Sequence, residues 1–287
     1  LLLKKNGNYL DATSGFGGHS AAILEQLVGG SLISTDQDPE AISYLKSKFK
    51  SEERLSIHQA RFSELDKLLI ANDFDGILAD IGVSSYQLNT AKRGFSFMKD
   101  GPLDMRMNQN IGEDASSWLN NASEKEISNI LWKYGEERKA KRIAKAIIEA
   151  RKNFKIKSTK ELAEIILEEV PRRFNDKKHP ATKTFQAIRI FINNELEELK
   201  LLLDFTSKHL KIGGRACIIS FHSLEDRMVK QFFRDHSRID PRLSKLPNLA
   251  DDSSFKLVSK AIKPSDHEIN INPRSRSAKL RVIERIR

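Results

Sequence analysis

Asp11-Ala-Thr-Ser-Gly15-Phe-Gly17-Gly18-His19 is the stretch that decides the fold class. It joins a predicted strand, residues 8–11, to a predicted helix, residues 20–27, which Gly29-Gly30 closes. Glycines lack a Cβ atom, so a ligand can approach the backbone closely just before a helix begins. The stretch therefore predicts a nucleotide-like ligand at this turn, with a tight turn that binds nothing as the alternative.

The segments after this loop repeat the alternation of a strand followed by a helix. Residues 31–36, 55–58 and 76–80 are predicted strands, and a helix is predicted from Pro39 to about Phe49. Alternating short apolar runs and amphipathic stretches are typical of a parallel sheet covered by helices. The fold class predicted is α/β, with a Rossmann-like sheet.

Two carboxylates follow strands of this sheet. Asp36 ends the second strand, about 20 residues past the loop, where a carboxylate can accept hydrogen bonds from both ribose hydroxyls. Asp80 ends the fourth strand, at the edge of the sheet where α/β proteins bind ligands, although a turn-forming Asp is an equal alternative. Asp38, just before Pro39, better suits a helix cap.

The rhythm changes after Gln87, and helical patterns dominate residues 115–170. We interpret this part as an inserted all-helical domain, at 92–180, between two parts of the sheet domain, at 1–91 and 181–287. Within it, residues 139–148 place Ile143, Ala144 and Ile147 on one helix face and basic residues on another. A long helix over 182–210, a strand over 215–220 and a terminal or edge strand over 279–286 complete the prediction.

Composition narrows the function classes. Lysine and arginine number 49 against 39 aspartate and glutamate residues, and the net charge of +10 favours polyanionic partners such as nucleic acid. No apolar run is long enough to cross a bilayer, so we expect a cytoplasmic protein without a membrane partner. Cys217 is the only cysteine, which excludes an intrachain disulfide, and its apolar neighbours predict a buried thiol.

Further motifs accompany the glycine-rich loop along the chain: residues 11–20, Asp80-Ile-Gly-Val-Ser-Ser-Tyr-Gln87, residues 93–107, Tyr134-Gly-Glu-Glu-Arg138, residues 179–189, Ser220-Phe-His-Ser-Leu-Glu-Asp-Arg227 and Asn272-Pro-Arg-Ser-Arg-Ser277. These blocks, in this order, resemble the RsmH (MraW) family of 16S rRNA cytosine-N4 methyltransferases. The resemblance runs from about residue 8 to the end of the chain. The chain differs from the family pattern at its start, where members carry a His-x-Pro-Val-Leu-Leu segment, and at Tyr86, where proline is more frequent.

The resemblance implies S-adenosylmethionine as cofactor and a cytidine in the ribosomal decoding region as substrate, within 16S rRNA or the assembled small subunit. It implies that Asp36 contacts the ribose of the cofactor and Phe62 its adenine region. The remaining implied cofactor contacts are Gly17, Gly18, His19, Asp80 and Gln87. From the residues alone, Phe62 would be a buried aromatic and Gln87 a solvated amide.

The implied reaction is direct displacement, in which the exocyclic amine of cytosine attacks the sulfonium methyl group. An acceptor beside the amine would make its nitrogen more nucleophilic, and Asp80 is our candidate, with backbone carbonyls near Gly82 as the alternative. His222 is either a contact to the base or, more in keeping with its position, a cap of the next helix.

Basic residues in two segments are candidate phosphate contacts, although each could equally be a solvated surface. The histidines and carboxylates show no metal-ligand spacing, so we expect an active site without a metal. The oligomeric state stays open, a homodimer included. The candidate phosphate contacts are Lys139, Lys141, Arg142, Arg274 and Arg276.

Two other functions fit parts of the sequence. A nucleotide-dependent dehydrogenase would share the sheet, but Ser20 stands where the third glycine of a dinucleotide-binding loop belongs, and the positive charge is unexpected. A non-catalytic RNA-binding or assembly factor could keep the same fold. A cofactor-binding assay would distinguish a dehydrogenase from a methyltransferase. A methyl-transfer assay would distinguish a non-catalytic factor from a methyltransferase.

Overall fold

A computed structural model of the chain describes residues 1, 4–69, 73–172, 179–237 and 253–287. These residues form two compact units, one from residues 1–82 and 196–287 and the other from residues 83–195. Among the described helices, none is long and apolar enough to cross a membrane.

The first unit begins with four strands and three helices that alternate along the chain. Pro39 occupies the first turn of the second helix, and the Asp38 carboxylate accepts a hydrogen bond from the Glu40 N–H at 3.0 Å, which confirms the predicted cap. The elements are β1 (Asn8–Asp11), α1 (Gly18–Gln26), β2 (Ser31–Asp36), α2 (Pro39–Lys48), β3 (Leu55–Gln59), a short 3₁₀ helix (Phe62–Glu64), α3 (Leu65–Leu68) and β4 (Phe74–Asp80).

The second unit contains six α-helices among its described residues. Its core includes Ile143, Ala144 and Ile147, which confirms the predicted apolar face of that amphipathic helix. The buried guanidinium of Arg93 donates to the carbonyls of Arg106 and Met107 and so fixes the loop before the second of these helices. The helices are α4 (Ser85–Asn89), α5 (Ala115–Asn121), α6 (Glu124–Gly135), α7 (Ala140–Asn153), α8 (Thr159–Glu169) and α9 (Ala181–Ile192), with a 3₁₀ turn at Ala91–Arg93.

The limits of the second unit differ from the predicted insert, 92–180. Val83 and Leu88 pack against the helical core, and α9 contributes Phe185 and Ile188 to it. These apolar contacts explain why the unit extends beyond the predicted boundaries at both ends.

The chain then returns to the first unit with α10 (Glu195–His209), β5 (Leu210–Ser220), α11 (Ser223–His236), β6 (Phe255–Leu257), α12 (Asp266–Ile271), a 3₁₀ helix (Pro273–Ser277) and β7 (Lys279–Arg285). The predicted single helix over 182–210 was wrong, because it is interrupted between α9 and α10. Asn194 has a φ of 52°, a left-handed conformation that asparagine tolerates better than most residues and that ends a helix.

Among its described residues, the first unit has a sheet of seven strands in the order β3-β2-β1-β4-β5-β7-β6. Strands β1 to β5 pair parallel with one another, whereas β7 is antiparallel to both of its neighbours, β5 and β6. This confirms the α/β class. Strand β7 is the last in the chain, but it lies inside the sheet, since β6 covers its outer side. Cys217 on β5 is buried, as predicted.

Candidate active site

Three aspartates end three neighbouring parallel strands of the first unit. Asp11 ends β1, Asp36 ends β2 and Asp80 ends β4. Because β1 lies between β2 and β4 and all three run in the same direction, these carboxylates share one edge of the sheet. The geometry of this edge decides what the unit can bind.

Asp11 ties the start of the glycine-rich loop to helix α1. Its side chain is fully buried, and it accepts hydrogen bonds from the Ser20 hydroxyl at 2.6 Å and from the Thr13 N–H at 3.3 Å. Burial raises the pKa of Asp11 above its ordinary value, and the bond from Ser20 opposes that shift. The prediction did not include Asp11 among the site residues, although its place at the end of the first strand was a usable signal.

Asp36 holds the far side of the same loop. Its two oxygens accept from the N–H of Gly15 at 2.8 Å and from the N–H of Asp38 at 2.9 Å. Burial raises the pKa of Asp36 to about 6, and the two backbone donors oppose that shift. A carboxylate oxygen can accept more than one hydrogen bond, so the side chain keeps capacity for ribose hydroxyls.

The glycines of the loop have different roles. Gly17 adopts a φ of 76°, and a Cβ atom there would lie 2.6 Å from Leu45 Cδ2 and 2.7 Å from Phe49 Cε2. Gly17 is therefore required for packing against α2. A Cβ at Gly18 would meet nothing within 4 Å, so this residue leaves open space at the start of α1. Open space beside the first N–H groups of a helix suits a ligand.

Asp80 lies beside His19, and one of its oxygens accepts no hydrogen bond from any described residue. Its backbone N–H donates to Thr13 Oγ1 at 2.6 Å, and Asp80 Oδ2 lies 3.4 Å from His19 Nε2. Asp80 Oδ1 is buried and has no hydrogen-bond partner in the described part of the chain. The contact with Asp80 raises the pKa of His19, whose ring is about half exposed. An acceptor oxygen in this position can receive a hydrogen bond from a ligand, a substrate or water.

His222 caps helix α11, in line with the structural alternative. Its Nδ1 accepts from the Glu225 N–H at 3.4 Å, and the buried Glu225 carboxylate accepts from the N–H groups of Phe221 and His222. This capping box accounts for the histidine in structural terms.

Phe62 and Gln87 are placed in different units. Phe62 begins the 3₁₀ helix after β3 and is partly buried against the core of the first unit. Gln87 belongs to the second unit and is only 5% exposed, so the solvated amide expected from the sequence alone was wrong. Its Oε1 accepts from the Ser84 N–H at 2.9 Å in the capping box of α4, which explains its burial.

The candidate phosphate contacts are all on the surface of their units. In the second unit Lys141 and Arg142 are exposed on α7 and Lys139 is half-buried at its start. Arg142 forms a 2.7 Å ion pair with Glu169. In the first unit Arg274 and Arg276 are exposed on the 3₁₀ helix before β7.

The first unit thus brings together Asp11, Asp36, Asp80, His19 and the glycine loop. Gly18 leaves room for a ligand, and Asp36 and the unpartnered Asp80 Oδ1 offer acceptors for its polar groups. These features fit a cofactor that carries a ribose and a positive charge. They are also compatible with chemistry in which Asp80 accepts a proton or a hydrogen bond from a substrate.

Comparisons with known proteins show the family of the chain. A family model described as the MraW methylase family matches residues 1–286. A protein from Xanthomonas oryzae pv. oryzae named ribosomal RNA small subunit methyltransferase H is 49% identical over 288 residues, covering 100% of this chain and 85% of the relative. A Coxiella burnetii protein of the same name is 49% identical over 293 residues, covering 100% of this chain and 95% of the relative.

A solved structure of an rRNA methylase from Streptococcus thermophilus aligns over 99% of this chain and 90% of that chain, with a TM-score of 0.41 and 11% identity. This structural similarity is too weak to support a conclusion.

Proposed function

The chain belongs to the MraW methylase family, and on that premise we propose that it methylates the exocyclic N4 of a cytidine in the decoding region of 16S rRNA. As a member of this family, the chain is an rRNA methyltransferase, and its cofactor is S-adenosylmethionine.

The observation that carries the proposal is Asp80 Oδ1, a buried acceptor without a partner in the described residues. The attacking group in this reaction is an amine whose lone pair is delocalised into the cytosine ring. An acceptor beside its N–H groups would localise the lone pair and make the nitrogen more nucleophilic. Asp80 Oδ1 lies at the sheet edge where such a group is needed, and it would gain the hydrogen bond that it lacks.

When bound, the cofactor supplies an electrophilic methyl group on a sulfonium. A new N–C bond forms as the methyl C–S bond breaks, and the amine then loses one proton. Asp80 would orient the amine and accept that proton or its hydrogen bond, with backbone carbonyl groups near Gly82 as alternative hydrogen-bond acceptors. The residues proposed to hold the cofactor are Gly17, Gly18, His19, Asp36, Phe62, Asp80 and Gln87.

Asp36 and Gly18 give this cofactor site a physical basis. The Asp36 carboxylate already orders the loop through Gly15, and its remaining acceptor capacity suits a ribose diol. The space beside Gly18 lets the ligand approach the helix start. The proposed contacts of Phe62 and Gln87 rest on the family resemblance alone.

RNA binding would depend on charge spread over the surface. We propose that Lys139, Lys141 and Arg142 in the second unit, and Arg274 and Arg276 in the first, contact phosphates of the rRNA. A target base has to leave its stack before chemistry, so a looped or single-stranded region of the small subunit is the expected substrate.

The test is transfer of labelled methyl from S-adenosylmethionine to small ribosomal subunits that lack this modification, followed by nucleoside analysis. We expect label in N4-methylcytidine, or in its 2′-O-methylated form, with the wild type and a loss of label with Asp80→Ala. Label in another nucleoside would refute the N4 assignment. Cofactor binding without transfer to any ribosomal substrate would refute the proposed activity.

A further inference from the structure

Helix α2 contacts the glycine-rich loop through a lysine that the proposed site does not include. Lys48 Nζ lies 3.3 Å from the carbonyl oxygen of Phe16 and 3.4 Å from that of Gly17, within hydrogen-bond distance of both. The same ammonium lies 5.0 Å from the ring centroid of Phe49 and 5.9 Å from that of Tyr44.

Aromatic contacts surround this ammonium. The rings of Phe16 and Tyr44 pack with their centroids 5.0 Å apart, and Gly17 fits against Leu45 and Phe49. One turn of α2 therefore contacts the loop through apolar surfaces, and Lys48 adds donors to two consecutive carbonyls. A cation over aromatic faces is itself stabilised in this position.

The carbonyl contacts fix the orientation of the peptide planes. In a trans peptide the N–H points opposite to the C=O, so the Gly17 carbonyl directed at Lys48 turns the Gly18 N–H away from Lys48. The neighbouring plane is held in the same manner, since the Gly17 N–H donates to the Ser14 carbonyl at 2.7 Å. The Gly17 carbonyl also accepts from the Ala21 N–H at 3.1 Å, within the first turn of α1.

The Gly18 N–H is the first of helix α1, one of the four that have no acceptor inside a helix. Such groups are the usual donors to a ligand at a helix start. Its direction depends on the peptide plane of the Gly17 carbonyl, which accepts from both the Ala21 N–H and Lys48 Nζ. Lys48 thus acts on the donor that the proposed cofactor site needs.

We propose that Lys48 is a positioning residue for the cofactor: by binding the Phe16 and Gly17 carbonyls it preorganises the glycine loop for S-adenosylmethionine. This inference rests on the proposed placement of the cofactor at the loop. It assigns no chemical step to Lys48. Loss of the ammonium should weaken ground-state and transition-state binding equally, which changes KM and leaves kcat nearly constant.

Lys46 provides a matched control. It lies in the same last turn of α2, is exposed, and has the same effect on net charge and on the helix dipole. Among the described residues, Lys48 donates to two carbonyls of the loop, whereas no hydrogen bond joins Lys46 to it. A comparison of Lys48→Met with Lys46→Met therefore isolates the carbonyl contacts from the general effect of removing one charge.

The experiment measures binding of S-adenosylhomocysteine by calorimetry, and kcat and KM for S-adenosylmethionine, in wild type, Lys48→Met, Lys48→Arg and Lys46→Met. Backbone amide spectra without ligand report the Gly17 and Gly18 N–H groups directly. We expect Lys48→Met to raise Kd and KM about threefold to tenfold, the range of one or two modest hydrogen bonds. Lys48→Arg should restore most of the affinity, and the Gly17 and Gly18 amide signals should shift in Lys48→Met alone.

Equal affinities of Lys48→Met and Lys46→Met, or unshifted Gly17 and Gly18 amides, would overturn the inference. A lower Tm in Lys48→Met that Lys48→Arg does not restore would also contradict it, because the lysine would then be needed for folding. The proposed function fails differently: in that case wild-type protein itself would bind no S-adenosylhomocysteine.

Discussion

The sheet edge of the first unit and helix α7 of the second unit carry polar groups in opposite ways. At the sheet edge, Asp11 is fully buried, and within the described part of the chain every oxygen of the three carboxylates except Asp80 Oδ1 has a hydrogen-bond partner. On α7, Lys141 and Arg142 are exposed to solvent, and Arg142 pairs with Glu169. A buried polar group has its effect through its position, whereas exposed charged groups have theirs through their combined charge.

This difference implies different responses to substitution. A single change at the sheet edge should alter the chemistry or the cofactor affinity strongly, whereas single changes on α7 should have small effects that accumulate. We therefore expect the largest effects from substitutions at the sheet edge and the smallest from those on α7.

Asp80→Asn should have the largest effect on turnover. Asparagine keeps the size and one acceptor oxygen but cannot take a proton, so we expect kcat to fall by about a hundredfold or more. Affinity for S-adenosylhomocysteine should change by no more than about threefold, since asparagine retains much of the hydrogen-bonding capacity. Steady-state kinetics and calorimetry measure the two quantities, and unchanged kcat would exclude Asp80 from the chemical step.

The two neighbouring glycines should respond differently to alanine. Gly17→Ala forces a side chain into a φ of 76° and against Leu45 and Phe49, so the free energy of unfolding should fall by about 1–3 kcal/mol. Gly18→Ala meets no atom within 4 Å, so stability should be kept while cofactor affinity falls roughly tenfold because the new methyl group occupies the ligand's space. Thermal unfolding and calorimetry distinguish the two, and equal losses of stability would contradict the assignment.

Cofactor affinity should depend on the ionisation of Asp36. Burial raises its pKa to about 6, so lowering the pH through 6 protonates the carboxylate and removes an acceptor for the ribose. Affinity should therefore fall several-fold as the pH decreases from 7 to 5. Titrations at several pH values measure this, with Asp36→Asn and His19→Gln as separate controls because His19 also titrates. If the affinity of Asp36→Asn still depended on pH in this range, another titrating group would be responsible.

The same raised pKa has a consequence for stability. The folded state binds the Asp36 proton more tightly than the unfolded chain does, because in the unfolded chain the carboxyl group has its ordinary pKa of 3.8. The contribution of Asp36 to stability is thus present in full below about pH 4 and declines as the pH rises to about 6.

Neutralising half-buried Lys139, just before α7, and exposed Lys141, on α7, should have the smallest effects. Lys139→Gln with Lys141→Gln should weaken RNA binding a few-fold and reduce the slope of log affinity against log salt by about 1–2. Arg142→Gln should contribute less, because Glu169 already compensates its charge. Salt titrations of binding to small subunits measure the slope, with exposed Lys125 on α6 as a control site. An unchanged slope would remove α7 from the RNA contact surface.

Much of this fold was predictable because local patterns determine it. The apolar runs that form β1, β2 and β4 and the carboxylates that end them are contiguous in the sequence, so their shared sheet edge follows from parallel topology. The break at Asn194 was missed because helical periodicity continues on both sides of it. A pair of asparagines, Asn193 and Asn194, was the available signal.

Long-range contacts in the site could not be predicted. No local sequence pattern indicates that the Thr13 hydroxyl oxygen accepts a hydrogen bond from the Asp80 N–H. The same holds for the contacts of Lys48 with the carbonyl groups of Phe16 and Gly17. The exposure of Gln87 was also misjudged, because its burial follows from a capping box and from packing rather than from its residue type. Such contacts depend on how distant segments pack.

A single-turnover measurement tests directly whether the sheet edge performs the chemistry while the α7 lysines only bind RNA. Enzyme loaded with labelled S-adenosylmethionine would be mixed with increasing concentrations of unmodified small subunits, using wild type, Asp80→Asn and the Lys139/Lys141 double variant. If the sheet edge performs the chemistry and the α7 lysines only bind RNA, the double variant reaches the wild-type rate at saturating subunit, while Asp80→Asn stays about a hundredfold slower at every concentration. Recovery of the wild-type rate by Asp80→Asn at saturation would contradict the account.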